Sequence, residues 1–441
     1  MRISLGARHE FLRRYGVADR WTAQTLGDLA RVVGGGTPSR DESRFWIGGT
    51  IPWATPTDLT ANETKLISNT AECITETGLA SSATSLLPAG SILYTSRATI
   101  GAKAVATVPI TTNQGFASFL PRSVDGDYLY YLLDLLTPLI KRLGAGTTFD
   151  EVSKRDIRTV WCSVPSDPYE QGAIARILDA MDTAIERTRA SIDRAREVKR
   201  AVLQRFFYDA LGETAYADRP KRKLAPGWSL VATALLLADE PKNGVSPEAS
   251  SQPPGTPTFS IAAIRDGRVN LNNKDNLKYA RLSETIARRF SIQRGDVLVV
   301  RGNANPDLVG KAGIVSVFPG GCIYPDIAKR VAFRSDSELK VSPEFAVLAW
   351  NDAIVHNQVL RRAKTSNGTL KINSRDVKQI IMPVPPENEQ AKLVKIVAGV
   401  DAQIDALSVI SVAQAQLKRA LMHDLLTGRV RVPNAIKLAE S

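Results

Sequence analysis

Two stretches of this chain are variants of one another. From Glu170-Gln171 and Glu389-Gln390 onward they align without a gap, a constant 219 residues apart. Ile177 falls on Ile396, Asp182 on Asp401, Ile185 on Ile404, and Lys199-Arg200-Ala201 on Lys418-Arg419-Ala420. Fainter echoes precede each copy. Ser153-Lys154-Arg155-Asp156-Ile157 answers Asn373-Ser374-Arg375-Asp376-Val377, and Gly90-Ser91-Ile92-Leu93 answers Gly295-Asp296-Val297-Leu298. The chain therefore reads as two half-chains of one plan, each a mixed domain followed by a long helix.

Both repeated stretches read as helix. Each opens on proline and acidic residues, Pro168 and Glu170 in one, Pro385, Pro386, Glu387 and Glu389 in the other, as a helix N-terminus favours. The first carries apolar residues at Ile174, Leu178, Met181, Ile185, Ile192, Ala195, Val198, Val202 and Phe206. The second carries them at Leu393, Val397, Val400, Ile404, Leu407, Leu417, Leu421 and Leu425. Spacings of three and four sustained over about five heptads describe a seam that one short domain face cannot cover. The two alike helices are expected to pack on each other as an antiparallel coiled coil, the alternative being that each caps its own domain.

The expected architecture is α+β, with two similar mixed α/β domains separated by two long helices. The boundaries are a first domain at 1–165, a first helix at 166–208, a second domain at 209–384, a second helix at 385–428 and a tail at 429–441. Strands are expected at Ile92–Thr95, Lys103–Val108 and Gly115–Leu120, and again at Val297–Arg301, Ala312–Val317 and Arg330–Phe333. Helices are expected at Tyr128–Leu143 and Pro343–Ala363. The Pro, Gly and Ser content of 240–257 reads as a mobile loop, and Tyr208–Gly227, with its basic run Arg219-Pro220-Lys221-Arg222-Lys223, reads as a linker.

The sequence is poor in the residues that enzymes use. Its 441 residues hold three histidines (His9, His356, His423) and three scattered cysteines (Cys73, Cys162, Cys322), with no metal-ligand spacing among them. No phosphate-binding GxxxxGK[ST] loop occurs, because Gly302 and Gly310-Lys311 have the wrong interval and Ala312 stands where a hydroxyl is needed. Asp167-Pro168-Tyr169 lacks the second proline of an adenine-methyltransferase loop, and Glu240-Pro241-Lys242 sits at the edge of the expected mobile loop. Binding rather than catalysis is the expectation. Lys plus Arg number 57 against 45 acidic residues, a formal charge of +12, which permits nucleic acid as a partner. With 44% hydrophobic and 23% charged residues the chain is globular. No apolar run is expected to approach the roughly 20 residues of a membrane span, the N-terminus has no secretory pattern, and the cysteine usage suits a reducing cytoplasm.

What remains are polar, loop-rich motifs. The first domain has Gly34-Gly35-Gly36-Thr37-Pro38-Ser39, then Trp46-Ile47-Gly48-Gly49-Thr50-Ile51-Pro52-Trp53 and Thr55-Pro56-Thr57-Asp58-Leu59. Ser96-Arg97-Ala98-Thr99-Ile100-Gly101 and Thr112-Asn113-Gln114-Gly115-Phe116 follow. With the two VP…EQ helix openings and the ending Leu425-Leu426-Thr427-Gly428-Arg429-Val430-Arg431-Val432, this set resembles the specificity subunits of Type I restriction–modification enzymes over nearly the whole chain. The second domain departs from the first, showing Cys322-Ile323-Tyr324-Pro325-Asp326 and Ser366-Asn367-Gly368-Thr369 where GGTPS and TNQGF are missing.

The resemblance implies two target-recognition domains, each reading one half of a split, asymmetric site in double-stranded DNA. The paired helices would hold them apart and dock two methyltransferase subunits, with restriction and translocase subunits joining that core. S-adenosylmethionine, ATP and Mg²⁺ would then sit on partner subunits, and this chain would bind no cofactor and no metal, catalyse nothing and touch no membrane. For base contact the donors are Arg97 with Thr95, Ser96, Asn113 and Gln114, since Arg pairs with guanine and Asn or Gln with adenine. The alternative reading has Asn113 and Gln114 holding a turn and Arg97 paired with a carboxylate such as Asp58. Arg301, Asn303, Asn305 and Lys311 take the corresponding place in the second domain. Arg361, Arg362, Lys364, Ser366, Asn367 and Lys371 form a basic strip suited to phosphates, with Lys154 and Arg155 as its first-half counterpart. Trp46 and Trp53 stack on DNA or pack internally. Arg187, Arg189, Arg194 and Arg196 are either a solvated helix face or a docking face.

Overall fold

Both long helices form, and the repeated glutamine explains why they open alike. In the computed structural model, which describes residues 9–144, 151–211, 224–272, 274–316, 320–334, 338–366 and 368–432, they span Pro168–Leu211 and Glu387–Leu426. Gln171 is buried; its Oε1 accepts the Asp125 N–H at 2.8 Å and its Nε2 donates to the Pro165 carbonyl at 2.9 Å. Gln390 repeats the arrangement, accepting the Ser342 N–H at 3.0 Å and donating to the Lys340 and Pro385 carbonyls at 2.8 and 2.9 Å. A buried amide left unpaired costs about 1–3 kcal/mol, so these bonds tie each helix start to its own domain. The neighbouring glutamates are used as well: Glu170 accepts both arms of Arg431 at 2.6 and 2.8 Å, and Glu389 accepts the Trp228 indole N–H at 2.9 Å. The linker run 219–223 and Asn367 lie outside the described residues.

The chain gathers into two compact units, one of residues 1–189 with 409–441, the other of 190–408. Each holds one mixed domain and a part of each long helix.

In the first unit, a five-stranded sheet has the order Ala30–Gly34, Ala117–Pro121, Ile92–Tyr94, Lys103–Ala106, Leu66–Ile67. Its neighbours are antiparallel except for Leu66–Ile67, which joins Lys103–Ala106 in parallel. The helix Gly126–Gly144 buries Tyr128, Leu132 and Leu136 in the same core as Ile92, Phe119, Ile174, Leu178, Leu425 and Leu426. The two long-helix segments here run antiparallel. Leu178 shares the core with Leu425, while one turn further on Asp182 is ion-paired with Lys418 at 2.5 Å.

In the second unit, a six-stranded sheet centres on Val297–Val300, flanked antiparallel by Ala328–Val331 and Ala312–Ile314. The central three strands thus repeat the first domain's trio. The expected helix 343–363 is two, Pro343–Asn351 and Ala353–Arg362, because Asp352 breaks the first and caps the second by accepting the Ile354 N–H at 3.0 Å. The long-helix segments are antiparallel here too: Phe207 shares a core with Leu393 and Val397, and Lys199 bonds Asp401 at 2.7 Å.

Two expectations are corrected. The stretch 240–257, read as a mobile loop, is bonded into two sheets: Lys242–Asn243 pairs with the strand at Ala328–Val331, and Ala249–Ser250 with Leu277–Ala280. The first of its two glycines is structural, since a Cβ on Gly244 would lie 2.2 Å from the Tyr324 carbonyl oxygen. The second helix is also more apolar than expected. Between Val394 and Ala415 the only charges are Lys395, Asp401 and Asp405, and an 18-residue window is apolar enough, by length and composition, to cross a membrane.

Much of that surface is open. Of the seam residues, Ile174, Leu178, Ile185, Ile192, Leu393 and Val397 are buried, while Met181, Val202, Val400, Ile404, Leu407 and Leu421 are half-buried. Val198 and its repeat equivalent Leu417 are each 52% exposed, and Val409 is 70% exposed beside exposed Ile410 and Val412. The stripe therefore splits into a buried seam and an outward strip. Leu178→Ala is expected to cost about 2–5 kcal/mol and Val409→Ala under about 0.5 kcal/mol, measured by urea unfolding; equal costs would contradict the burial pattern.

Candidate nucleic-acid interface

The polar motifs of the first domain meet at one end of its sheets. Gly36 donates its N–H to the Thr112 carbonyl at 2.9 Å, Thr37 bonds Gln114 through its hydroxyl, and Asn113 donates its N–H to the Ala54 carbonyl at 3.0 Å. Ser96 N–H reaches the Gly115 carbonyl at 2.9 Å, and Val152 N–H reaches the Ser96 carbonyl at 2.9 Å. The loops holding Gly34–Thr37, Thr95–Arg97, Thr112–Gly115 and Glu151–Lys154 thus form one cluster. Its closeness demands glycine at 35, where a Cβ would meet the Thr112 and Asn113 carbonyl oxygens at 2.1 and 2.2 Å.

Within this cluster the candidates divide. Thr95 and Ser96 are buried, at 0% and 4% exposure. Thr95 Oγ1 donates to the Thr99 carbonyl at 2.6 Å and accepts the Ala102 N–H at 2.9 Å. These two residues shape the loop and do not present themselves to a ligand, which corrects their reading as base donors. Asn113 Oδ1 accepts the Gly115 N–H at 2.9 Å, the turn-holding role, while Gln114 stays exposed. Arg97 is 42% exposed and lies 3.7 Å from the Glu151 carboxylate. Asp58 is instead engaged with Thr55 and with the Ala71 N–H at 2.8 Å. Ala98, next in the loop, has φ of 59°, a left-handed conformation. Lys154 and Arg155 lie exposed on the short helix Lys154–Arg158.

Trp46 and Trp53 are framework. Trp53 is buried and donates to the Gly36 carbonyl at 2.9 Å; Trp46 donates to the Ser39 carbonyl at 2.9 Å. Their rings meet edge to face at 5.0 Å, and the Arg40 guanidinium lies 3.8 Å from the Trp46 ring centre. Arg40 also grips Glu72 with two bonds at 2.5 and 2.8 Å, which raises its already high pKa and lowers that of Glu72. This braced arginine was missed in the sequence, where GGTPS was read without the residue that follows it.

The second domain brings Arg301, Asn303, Lys364 and Lys371 together, because Gly302–Asn303 pairs with Thr369–Lys371, which pairs with Lys364–Ser366. Its backbone register corrects the expected correspondence. Arg301 N–H bonds the Ile327 carbonyl and Ile372 N–H bonds the Arg301 carbonyl, as Ser96 does with Gly115 and Val152. Arg301 therefore occupies the place of Ser96, and Gly302 that of Arg97; a one-residue shift along a strand turns the side chain to the other face. Arg301 is 3.9 Å from Asp326. Asn303 and Asn305 each turn the chain, accepting the Asn305 N–H at 2.8 Å and the Asp307 N–H at 2.9 Å. Lys311 is half-buried, and burial pulls its ammonium below the usual lysine range. Arg361 donates to the Asn357 carbonyl at 3.2 Å, and Arg362 to the Gln358 and Gln379 carbonyls at 3.1 and 3.4 Å. Arg375, exposed one position after the start of the helix Ser374–Gln379, is the equivalent of Arg155 and was legible in the repeated SKRD/NSRD pattern.

The loop cluster, its glycine-rich approach and the first part of the first helix lie within a segment that matches a known family. The family described as "Type I restriction modification DNA specificity domain" matches residues 18–194. Residues 18–194 are thus similar to that family. Beyond this specificity domain, the chain is 35% identical over 227 residues to the MjaIX specificity subunit of Methanocaldococcus jannaschii, covering 50% of this chain and 52% of that protein. It is 25% identical over 274 residues to the EcoKI specificity subunit of Escherichia coli, covering 61% and 56%. The chain thus spans about half the length of these relatives. Its fold is similar over 92% of its length to the Type I restriction–modification S subunit from M. genitalium, with TM-score 0.53, 14% identity and 96% of that chain covered.

Beside Lys311 lies His356, 9% exposed, with Nδ1 lacking a partner among the described residues. Burial, and then the Lys311 charge, pull its pKa down to about 4. The folded imidazole stays neutral while the unfolded one, near 6.5, takes a proton, so stability is full above about pH 6.5 and falls toward pH 4. His356→Gln is expected to lessen the loss of urea stability between pH 7 and pH 5. An unchanged slope would contradict the burial of a neutral imidazole.

Proposed function

We propose that this chain is the non-catalytic DNA-specificity subunit of a Type I restriction–modification complex, acting in the cytoplasm. Each mixed domain is a target-recognition domain that reads one half of a bipartite, asymmetric site in double-stranded DNA. The observation that carries this reading is the duplicated plan around a recognised DNA specificity domain: the helix seat at Gln171 recurs at Gln390, while the loops differ in sequence, as two readers of different half-sites require. In this reading Arg97 and Gln114 supply base contacts in the first domain, Asn113 holds the turn that presents Gln114, and Lys154, Arg155, Lys364 and Lys371 meet phosphates. Arg301, Asn303, Asn305, Lys311, Arg361, Arg362, Ser366 and Asn367 complete the second reader.

The two long helices act along their length as an antiparallel coiled-coil spacer and dock two methyltransferase subunits. The exposed apolar strip at Val409, Ile410, Val412 and Leu417 supports protein docking over membrane insertion, since both ends of its helix share cores with folded domains and Asp401 and Lys418 are ion-paired along it. S-adenosylmethionine, ATP and Mg²⁺ belong to the methyltransferase, restriction and translocase partners.

Co-expression with the cognate methyltransferase subunit and genome-wide mapping of methylated bases tests the reading: a bipartite motif is expected only when this chain is present. Arg97→Ala is expected to relax or abolish one half of that motif while assembly, read by size-exclusion chromatography, stays intact; loss of assembly would count against its role as a reader. Adding seven residues to each long helix should lengthen the gap between half-sites, and an unchanged gap would remove the spacer role.

A further inference from the structure

The duplicated helices place one carboxylate and one lysine at equivalent positions, and each pair forms within its own unit. Asp182 bonds Lys418 in the first unit, and Asp401 bonds Lys199 in the second. The repeat carries Asp182 onto Asp401 and Lys199 onto Lys418, so the two pairs are one interaction made twice with the helices exchanged. All four side chains are mostly withdrawn from water, at 17–27% exposure. Screening is weak there, and a missing partner is felt.

Each carboxylate also takes a second partner, and this partner comes from the mixed domain. In the first unit the Tyr131 hydroxyl lies 2.7 Å from Asp182 and 2.6 Å from Asp179. Burial and then those two carboxylates push the phenol pKa up, so the hydroxyl keeps its proton and remains a donor. Lys65, from the edge of the sheet, adds a second tie through Asp179 at 2.6 Å and Asp127 at 2.7 Å. In the second unit the donor is Arg268, which reaches Asp401 at 3.6 Å and Asp405 at 2.5 Å. The helix pair is thus repeated, while the donor that joins it is a phenol in one unit and a guanidinium in the other.

A contact that only held the helices together would need no donor from the domain, and one that only held the domain's fold would need no helix. These carboxylates do both. We propose that Asp182 and Asp401 are positioning residues that fix how each recognition domain stands on its own helices, and that Tyr131 and Arg268 thereby determine which gap between half-sites is accepted. This rests on the reading of the chain as a bipartite DNA reader.

The test uses the full chain co-expressed with its methyltransferase subunit, with Tyr131→Phe, Arg268→Gln, Arg268→Lys and the wild type mapped side by side. Tyr131→Phe keeps the buried ring, and Arg268→Lys keeps the charge. The expected result is that Tyr131→Phe and Arg268→Gln methylate sites whose gap differs by one base pair about tenfold more often than the wild type, with both half-site sequences unchanged. Arg268→Lys is expected to keep the single wild-type gap. A single unchanged gap in Tyr131→Phe and Arg268→Gln would overturn the inference, as would loss of all methylation or of assembly in either, since the contacts would then serve the fold or the reading itself. A wild-type chain that yields no bipartite motif would instead remove the function on which the inference stands, so the two failures are told apart by the wild-type arm.

Discussion

A helix of about forty residues cannot bury its apolar stripe against a single small domain, and this chain has two such helices. The stripe is covered in sections. At their starts the helices lean on their own domains through Ile174 and Leu178, or Leu393 and Val397. Further along they lean on each other, with Asp182–Lys418 and Lys199–Asp401 fixing the register. Ion pairs of this kind contribute little net stability compared with well-packed apolar residues, but they disfavour any slipped alignment that would leave a half-buried charge alone. The domains inherit their seating from that register.

Much of this was legible in the sequence. The duplication needed only self-comparison, and the helix spans followed from spacings of three and four uninterrupted by proline. The central strands of each domain were found within about three residues because short β-rich runs lay between clear turns. The placement of a strand at Arg330–Phe333 instead of Ala328–Val331 shows the limit of that signal.

What was misread depended on partners distant in sequence. Residues 240–257 look like a loop because their short strands gain hydrogen bonds only from Leu277–Ala280 and Ala328–Val331. Thr95 and Ser96 carry hydroxyls suited to recognition, yet their burial is decided by Ala102 and Gly115 across the fold. Arg301 was matched to Arg97 by residue type, whereas the ladder bonds of its main chain match it to Ser96. Leu417 lies on the periodic stripe yet is exposed, because a periodic pattern gives the width of an apolar face but not which part of it is covered. The alternative in which Trp46 and Trp53 pack internally holds, for the plain reason that each indole N–H finds a carbonyl in the adjoining loop.

The glutamine seats have a bearing on how such a chain can change. Gln171 and Gln390 grip only main-chain groups: an amide N–H and carbonyls that every sequence possesses. The mount therefore recognises the path of the backbone and is indifferent to the side chains it carries. Loops above it can exchange one set of donors for another without loosening the helix beneath, so a new reading surface does not require a new scaffold. Stability and specificity are written in different chemical alphabets, one of peptide groups and one of side chains, and each can be edited without the other.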